Sequence, residues 1–216
     1  MIRTAPEGRW FIIGAWAVAV LLLVVAVRSG GLGWWIVAGI WTALAVWVVA
    51  FFRDPERSWT RGPGLVAAPA DGKVVSVVET DEPAFFGERT VRISIFMNVF
   101  DCHVNRYPAD GTVRYRHYNP GAFGHAGAEK ASLSNEQCSI GLETGHGKML
   151  IRQIAGLIAR RIVTDHQVGT AVRQGERMGM IRFGSRVDLF LPVGTRVLVK
   201  SGDTTRVGVT VVAEWS

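Results

Sequence analysis

Cysteine is scarce in this sequence: of 216 residues, only Cys102 and Cys138 carry a thiol. Two cysteines so placed make neither a disulfide framework nor a zinc pattern. Histidine is nearly as sparse. His117 and His125 are spaced too loosely for metal ligands, and no carboxylate completes a set around them. Lysine gives way to arginine, which supplies twenty of the 24 basic residues and binds phosphate through a planar fork. No helix-turn-helix, zinc-finger or RNP pattern accompanies the net charge of +6, which excludes nucleic acid as its explanation. A Gly-x-Ser-x-Gly elbow is absent as well, so nothing marks an α/β-hydrolase.

Apolar residues, by contrast, are plentiful, at 49% of the chain, and they concentrate at the front. Trp10 to Val27 is an uncharged apolar run of 18 residues, and Trp34 to Phe52 is another of 19. As helices these would be roughly 27–29 Å long, close to the ~30 Å hydrocarbon core of a bilayer. The six residues between them, from Arg28 to Gly33, suit a tight turn. The runs therefore predict a transmembrane helical hairpin, with spans at about 10–27 and 34–52. A cleaved signal peptide is the competing account of the first run. Against it, no small-x-small cleavage site follows and a second span comes at once. Trp10, Trp34, Trp35 and Trp47 fall at or near the run ends, where indole favours the interface. Arg3 and Arg9 precede the first run, and Arg53, Arg57 and Arg61 follow the second, against a lone Arg28 between them. By the positive-inside rule both ends are cytoplasmic. Residues 1–60 are thus expected to anchor the chain in the cytoplasmic (inner) membrane, with residues 61–216 forming a domain on the cytosolic face. That domain has 19 basic against 15 acidic residues, so an anionic membrane surface is an expected partner, worth ~1 kcal/mol per basic residue near it.

Beyond a charged, proline-containing linker from Arg53 to Pro63, β signals dominate. Leu65–Ala68, Lys73–Glu79, Thr90–Phe96 and Gly111–Tyr118 are largely apolar or β-branched and are bounded by Gly, Pro or Asp. Asn119-Pro120-Gly121 is a strong turn signal, and residues 121–138, rich in Gly and Ala, read as a long loop of the active-site type. Met149 to Val163 has the apolar spacing of a helix, favoured from Ile154 after a strand-like start. Glycines at 175, 179, 184, 194, 202 and 208 then divide short apolar pairs, the rhythm of a compact barrel or sandwich. This rhythm resembles biotinyl/lipoyl-type barrel-sandwich domains, and Leu65 to Val77 has a similar cadence. The expected fold class is α+β and β-rich, a barrel-sandwich-like β domain behind the helical hairpin.

Three motifs could carry chemistry. Gly184-Ser185 lies in an apolar, strand-like run 32 residues from the C-terminus. A serine hydroxyl needs a base and oxyanion donors to act as a nucleophile, and a preceding glycine removes the Cβ that would crowd its attack on that glycine's carbonyl. Asp101-Cys102-His103 follows the strand ending near Phe96, with Pro108 five residues after the histidine. Imidazole, with an unperturbed pKa near 6.5, is the side chain suited to acid/base work near neutrality. Ala70-Asp71-Gly72 offers a carboxylate of the kind that orients a catalytic histidine. Each also has a plain structural reading: a strand bulge, a satisfied buried histidine and a β-turn. Cys102 and His103, as neighbours on an extended chain, point to opposite sides and do not form a dyad.

Taken in order, with His117-Tyr-Asn-Pro-Gly-Ala-Phe123 and Lys130-Ala-Ser-Leu-Ser-Asn-Glu136, these motifs resemble the short type of pyruvoyl-dependent phosphatidylserine decarboxylase proenzyme over residues 53–212. The resemblance implies self-cleavage between Gly184 and Ser185. Ester formation and elimination would then leave dehydroalanine, whose hydrolysis gives a pyruvoyl group and ammonia. That group takes the electron-sink task other enzymes give to pyridoxal phosphate, so neither pyridoxal phosphate nor a metal is expected. It further implies Ser185, His103 and Asp71 as catalytic residues, and Arg106, Lys130, Asn135 and Glu136 at the substrate. Longer family members carry a second histidine three residues after the first, where this chain has Arg106, so the base for cleavage is either His103 or another group. The expected partners are a membrane phospholipid, the fragments 1–184 and 185–216 held together, and further copies of the chain, since self-processing enzymes are often assemblies. Two other classes predict an uncut chain: a membrane-tethered barrel-sandwich adaptor without activity, and a serine hydrolase using Ser185, His103 and Asp71.

Overall fold

A left-handed glycine ends the first of two apolar helices. In the computed structural model, which describes residues 3–121, 135–156, 161–182 and 185–215, α1 spans Arg9–Ser29 and α2 spans Leu32–Phe51. Gly30, at φ 65°, closes α1 by donating its N–H to the Ala26 carbonyl at 3.0 Å, a conformation glycine adopts without a Cβ penalty. The helices pack through small residues. Ala19 and Ala26 of α1 and Ala38 and Ala45 of α2 are fully buried, each pair seven apart, so the backbones approach closely. The Trp41 indole donates to the Ala15 carbonyl at 2.9 Å. Leu21, Val24, Ile36 and Ile40 face outward, and both helices are long and apolar enough to cross a membrane. With a short 3₁₀ turn at Pro6–Gly8, they make up one compact unit, Met1–Glu56.

The second unit, Arg57–Ser216, is β-rich, with fourteen strands among the described residues. These are β1 (Leu65–Ala67), β2 (Gly72–Glu82), β3 (Glu88–Met97), β4 (Val104–Arg106), β5 (Gly111–Asn119), β6 (Gln137–Thr144), β7 (Gly147–Ala155), β8 (Ile162–Thr164), β9 (Ala171–Val172), β10 (Arg177–Ile181), β11 (Ser185–Pro192), β12 (Arg196–Val197), β13 (Thr204–Thr205) and β14 (Val211–Glu214). Eight form a curled antiparallel sheet in the order β13-β2-β3-β11-β7-β6-β5-β9. Two three-stranded sheets, β1-β14-β12 and β4-β10-β8, complete the unit. Alternation along the central strands sends Ile93, Ile95 and Met97 of β3, Val187, Leu189 and Leu191 of β11, and Met149 and Ile151 of β7 into one core. A β-rich chain behind an apolar helical pair is what the sequence predicted.

Between Met149 and Val163 the structure differs from the expected helix. The chain is strand through Ala155 and again at Ile162–Thr164, while 157–160 lie outside the described residues. Met149, Ile151, Gln153 and Ala155 form a period-two row that β7 presents between β6 and β11. Cross-strand pairing on both sides overrides the helical spacing of the same apolar residues. The expected loop also ends sooner, because β6 begins at Gln137.

Candidate active site

Ser185 opens β11, the strand between β3 and β7, and is paired with Met97 on one side and Ala155 on the other. It is fully buried, and its Oγ donates to the Met97 Sδ at 3.4 Å. A thioether is a weak acceptor, so the hydroxyl is loosely engaged. Gly184 lies outside the described residues.

His103 reaches the same end of the sheet through a stapled turn. After β3, Asn98 N–H donates to the Asp101 carboxylate at 2.8 Å, Phe100 N–H to the Asn98 side chain at 2.8 Å, and Asp101 N–H to the Asn98 carbonyl at 3.0 Å. These bonds fix the crossing from β3 to β4, with His103 one residue before β4. Ile181, the last residue of β10, donates its N–H to the His103 carbonyl at 3.4 Å. The end of β10 is thereby joined to the crossing from 97 to 104. His103 is fully buried, with Nδ1 at 3.0 Å from the Asp101 carbonyl. A carbonyl can only accept, so Nδ1 carries the proton and Nε2 is the basic nitrogen.

Other expected residues fall in two groups. Asn135 and Glu136 lie one row from Ser185. The Asn135 side chain donates to the Ala155 carbonyl at 2.7 Å, and Ala155 N–H donates to the Glu136 carbonyl at 2.8 Å. A hydrogen bond to Glu136 holds the Tyr118 phenol proton and pushes its pKa up. Asp71 and Arg106 are each held by neighbouring groups of the β-rich unit. Asp71 is bound by both Arg57 Nη atoms, at 2.5 and 2.7 Å, and by Val207 N–H at 2.8 Å. Gly72 follows because β2 passes so close to the Phe96 carbonyl that any Cβ would overlap it. Arg106 lies over the Trp59 ring, 4.4 Å from its centroid, and donates to the Gly175 carbonyl at 3.0 Å. Lys130 lies outside the described residues. Burial pushes the Cys138 thiol pKa up, which keeps it protonated and unreactive near neutrality.

Two residues not foreseen from sequence complete the cluster. Asn105 Nδ2 donates to the Met97 sulfur at 3.7 Å, and Gln153 Nε2 donates to Asn105 Oδ1 at 2.8 Å. Both are fully buried. The signal for Gln153 was in the sequence, as a carboxamide on the core-facing positions of Met149-Leu-Ile-Arg-Gln-Ile-Ala155 once that segment is read as a strand.

A buried hydroxyl at the head of a central strand, with an imidazole and carboxamides drawn to the same end, makes a polar cluster inside a β-sheet of the class that can hold a hydroxyl nucleophile. The comparisons narrow that class. The phosphatidylserine decarboxylase family profile matches residues 44–213. The phosphatidylserine decarboxylase proenzyme of Symbiobacterium thermophilum is 45% identical over 210 residues, covering 96% of this chain and 94% of that protein. Those of Nitrosomonas europaea, at 44% (98% and 94% covered), and Rickettsia bellii, at 43% (97% and 89% covered), are similar to it to the same degree. The chain belongs to the phosphatidylserine decarboxylase family, and the adaptor and serine-hydrolase readings are not favoured.

Proposed function

We propose that this chain is a proenzyme that cleaves itself between Gly184 and Ser185 and then decarboxylates phosphatidylserine to phosphatidylethanolamine. The observation that carries the reading is Ser185 itself, buried at the first position of a strand paired on both sides. A chain cut before Ser185 would keep the new end clamped between β3 and β7, with fragment 185–216 retained. That placement fits a pyruvoyl group made from Ser185, which when formed supplies the electron sink for the pair released as carbon dioxide leaves.

The protein's own groups supply proton transfer and binding. His103 Nε2 is proposed to take the Ser185 Oγ proton during cleavage and later to deliver a proton to the substrate carbon. Asp71 is the carboxylate proposed to support His103, its charge held meanwhile by Arg57. Asn135, Glu136, Lys130 and Arg106 are assigned to the lipid headgroup. The catalytic domain, 61–216, would stand on the cytosolic face of the inner membrane, anchored by α1 and α2 and drawn to anionic lipid. Its small sheets would close against the curled sheet in a barrel-sandwich-like manner, and copies of the processed chain would associate.

Intact-mass spectrometry of the detergent-solubilised protein, with and without hydroxylamine, tests this. Two chains are expected, the smaller lacking a free amino terminus and shifting with the carbonyl reagent. A single unmodified 23.6 kDa chain would overturn the reading. Substituting the proposed proton carrier, His103→Gln, should lower decarboxylation by about 10²–10⁴-fold, the usual share of a positioned acid/base group. Turnover at the wild-type rate by that variant would remove His103 from the chemistry.

A further inference from the structure

Gln153 occupies a core-facing position on β7, fully buried between Ile151 and Ala155 in the alternation. Its Nε2 donates to Asn105, and its Oε1 is buried without a hydrogen-bond partner. A buried amide oxygen in that state destabilises the fold, whereas a methionine would fill a similar volume without the penalty. Its side-chain bond to Asn105, the one it makes among the described residues, explains its presence. It fixes the Asn105 carboxamide with Oδ1 toward Gln153 and Nδ2 toward Met97. There the amide, at 3.7 Å, and the Ser185 hydroxyl, at 3.4 Å, are both spent on one thioether sulfur. Two good donors in a dry site on a weak acceptor are under-used. An oxygen anion forming beside Ser185 would be a far stronger acceptor for the amide.

We propose that Asn105, oriented by Gln153, donates the hydrogen bond that stabilises the oxyanion of Ser185 self-cleavage. The inference rests on the self-processing reading. Ser185 Oγ bonds to the Gly184 carbonyl carbon while its proton passes to His103 Nε2. The carbonyl π pair moves onto oxygen, which accepts the Asn105 Nδ2–H. Collapse reforms the carbonyl and breaks the bond to the Ser185 nitrogen, which receives the proton back from His103. An ester and an amine result, with every proton and electron pair accounted for. Asn105 is thus a catalytic residue for maturation, and Gln153 is a positioning residue.

The test follows cleavage of freshly synthesised full-length chain in lipid nanodiscs over time, with circular dichroism of each variant as a folding control. Asn105→Leu should slow cleavage by about 10²–10³-fold, the usual loss of one oxyanion donor. Gln153→Met should slow it by roughly tenfold through a misaligned amide. Asn105→Asp keeps the shape but presents a carboxylate near neutrality and an O–H donor once protonated. Its deficit relative to wild type should therefore narrow between about pH 8 and pH 5.5, a range that burial brings within reach of a carboxyl. Asn105→Leu cleaving within threefold of wild type, or a pH-independent Asn105→Asp deficit, would overturn the donor role. An uncut wild type or a cut Ser185→Ala chain would instead overturn the self-processing reading itself.

Discussion

Ser185→Ala should leave one uncut chain of 23.6 kDa with no decarboxylase activity. Wild type should yield 1–184 and 185–216, the smaller, 32 of 216 residues, about 3.5 kDa. The loss is expected to be total because, on the proposed reading, one side chain serves twice, as nucleophile for the cut and as precursor of the electron sink. Cys138, a buried thiol on β6, is kept protonated by its raised pKa and is a poor substitute nucleophile. The fold should tolerate the change, since the hydroxyl's bond is to a thioether and losing it costs no more than about 1 kcal/mol. Electrophoresis and a lipid assay on the same preparation read both consequences. A normally cut Ser185→Ala chain would mean that the scissile bond is opened by another group, and the site would have to be rebuilt elsewhere.

The helices and the long strands were legible because their signals are local. Two uncharged runs separated by Arg28 to Gly33 can hardly be anything but a helical pair, and Gly, Pro and Asp bracket β2, β3 and β5. Ser185, His103 and Asp71 were singled out as candidates through motif order rather than through geometry. What stayed hidden depends on partners distant in the chain. β7 has helical apolar spacing, and only its pairing with β6 and β11 makes it a strand. The join of Gln153 to Asn105, 48 residues apart, exists because β4 is brought over the end of β7 and β11. Arg57, counted in the sequence as a charge flanking a membrane span, turns out to bind Asp71. The contact of Arg106 with Trp59, 47 residues away in sequence, was hidden in the same way. For Gln153 on β7 and Asn105 on β4, side-chain alternation decides the outcome, since a one-residue change of register would turn either group to the other face.

The second large effect is expected at Asp188. Its carboxylate receives Arg186 Nε at 2.6 Å and Nη2 at 2.9 Å, and both residues are essentially inaccessible. They occupy the first and third positions after Ser185 on β11, on the face opposite Val187 and Leu189. Desolvating two charges is costly, and removing one of them is worse, because the other stays buried without its bidentate counter-ion. Asp188→Asn should therefore cost about 3–5 kcal/mol, a large part of the 5–15 kcal/mol typical of a domain. By comparison, the exposed Arg114–Glu143 pair, with both side chains more than half accessible, should lose less than about 1 kcal/mol on Glu143→Ala. The location adds a consequence for the processed protein. Once the chain is cut before Ser185, fragment 185–216 is held only by non-covalent contacts, among which the pairing of β11 with β3 and β7 is the longest. Asp188→Asn should then release the small fragment in mild urea that leaves wild type intact, as read by gel filtration. Arg186→Met combined with Asp188→Leu should restore retention, since a well-packed apolar pair can replace a buried ion pair. If the urea midpoint of Asp188→Asn matches that of wild type, the ion pair does not hold β11, and retention of the fragment rests on the strand ladder alone.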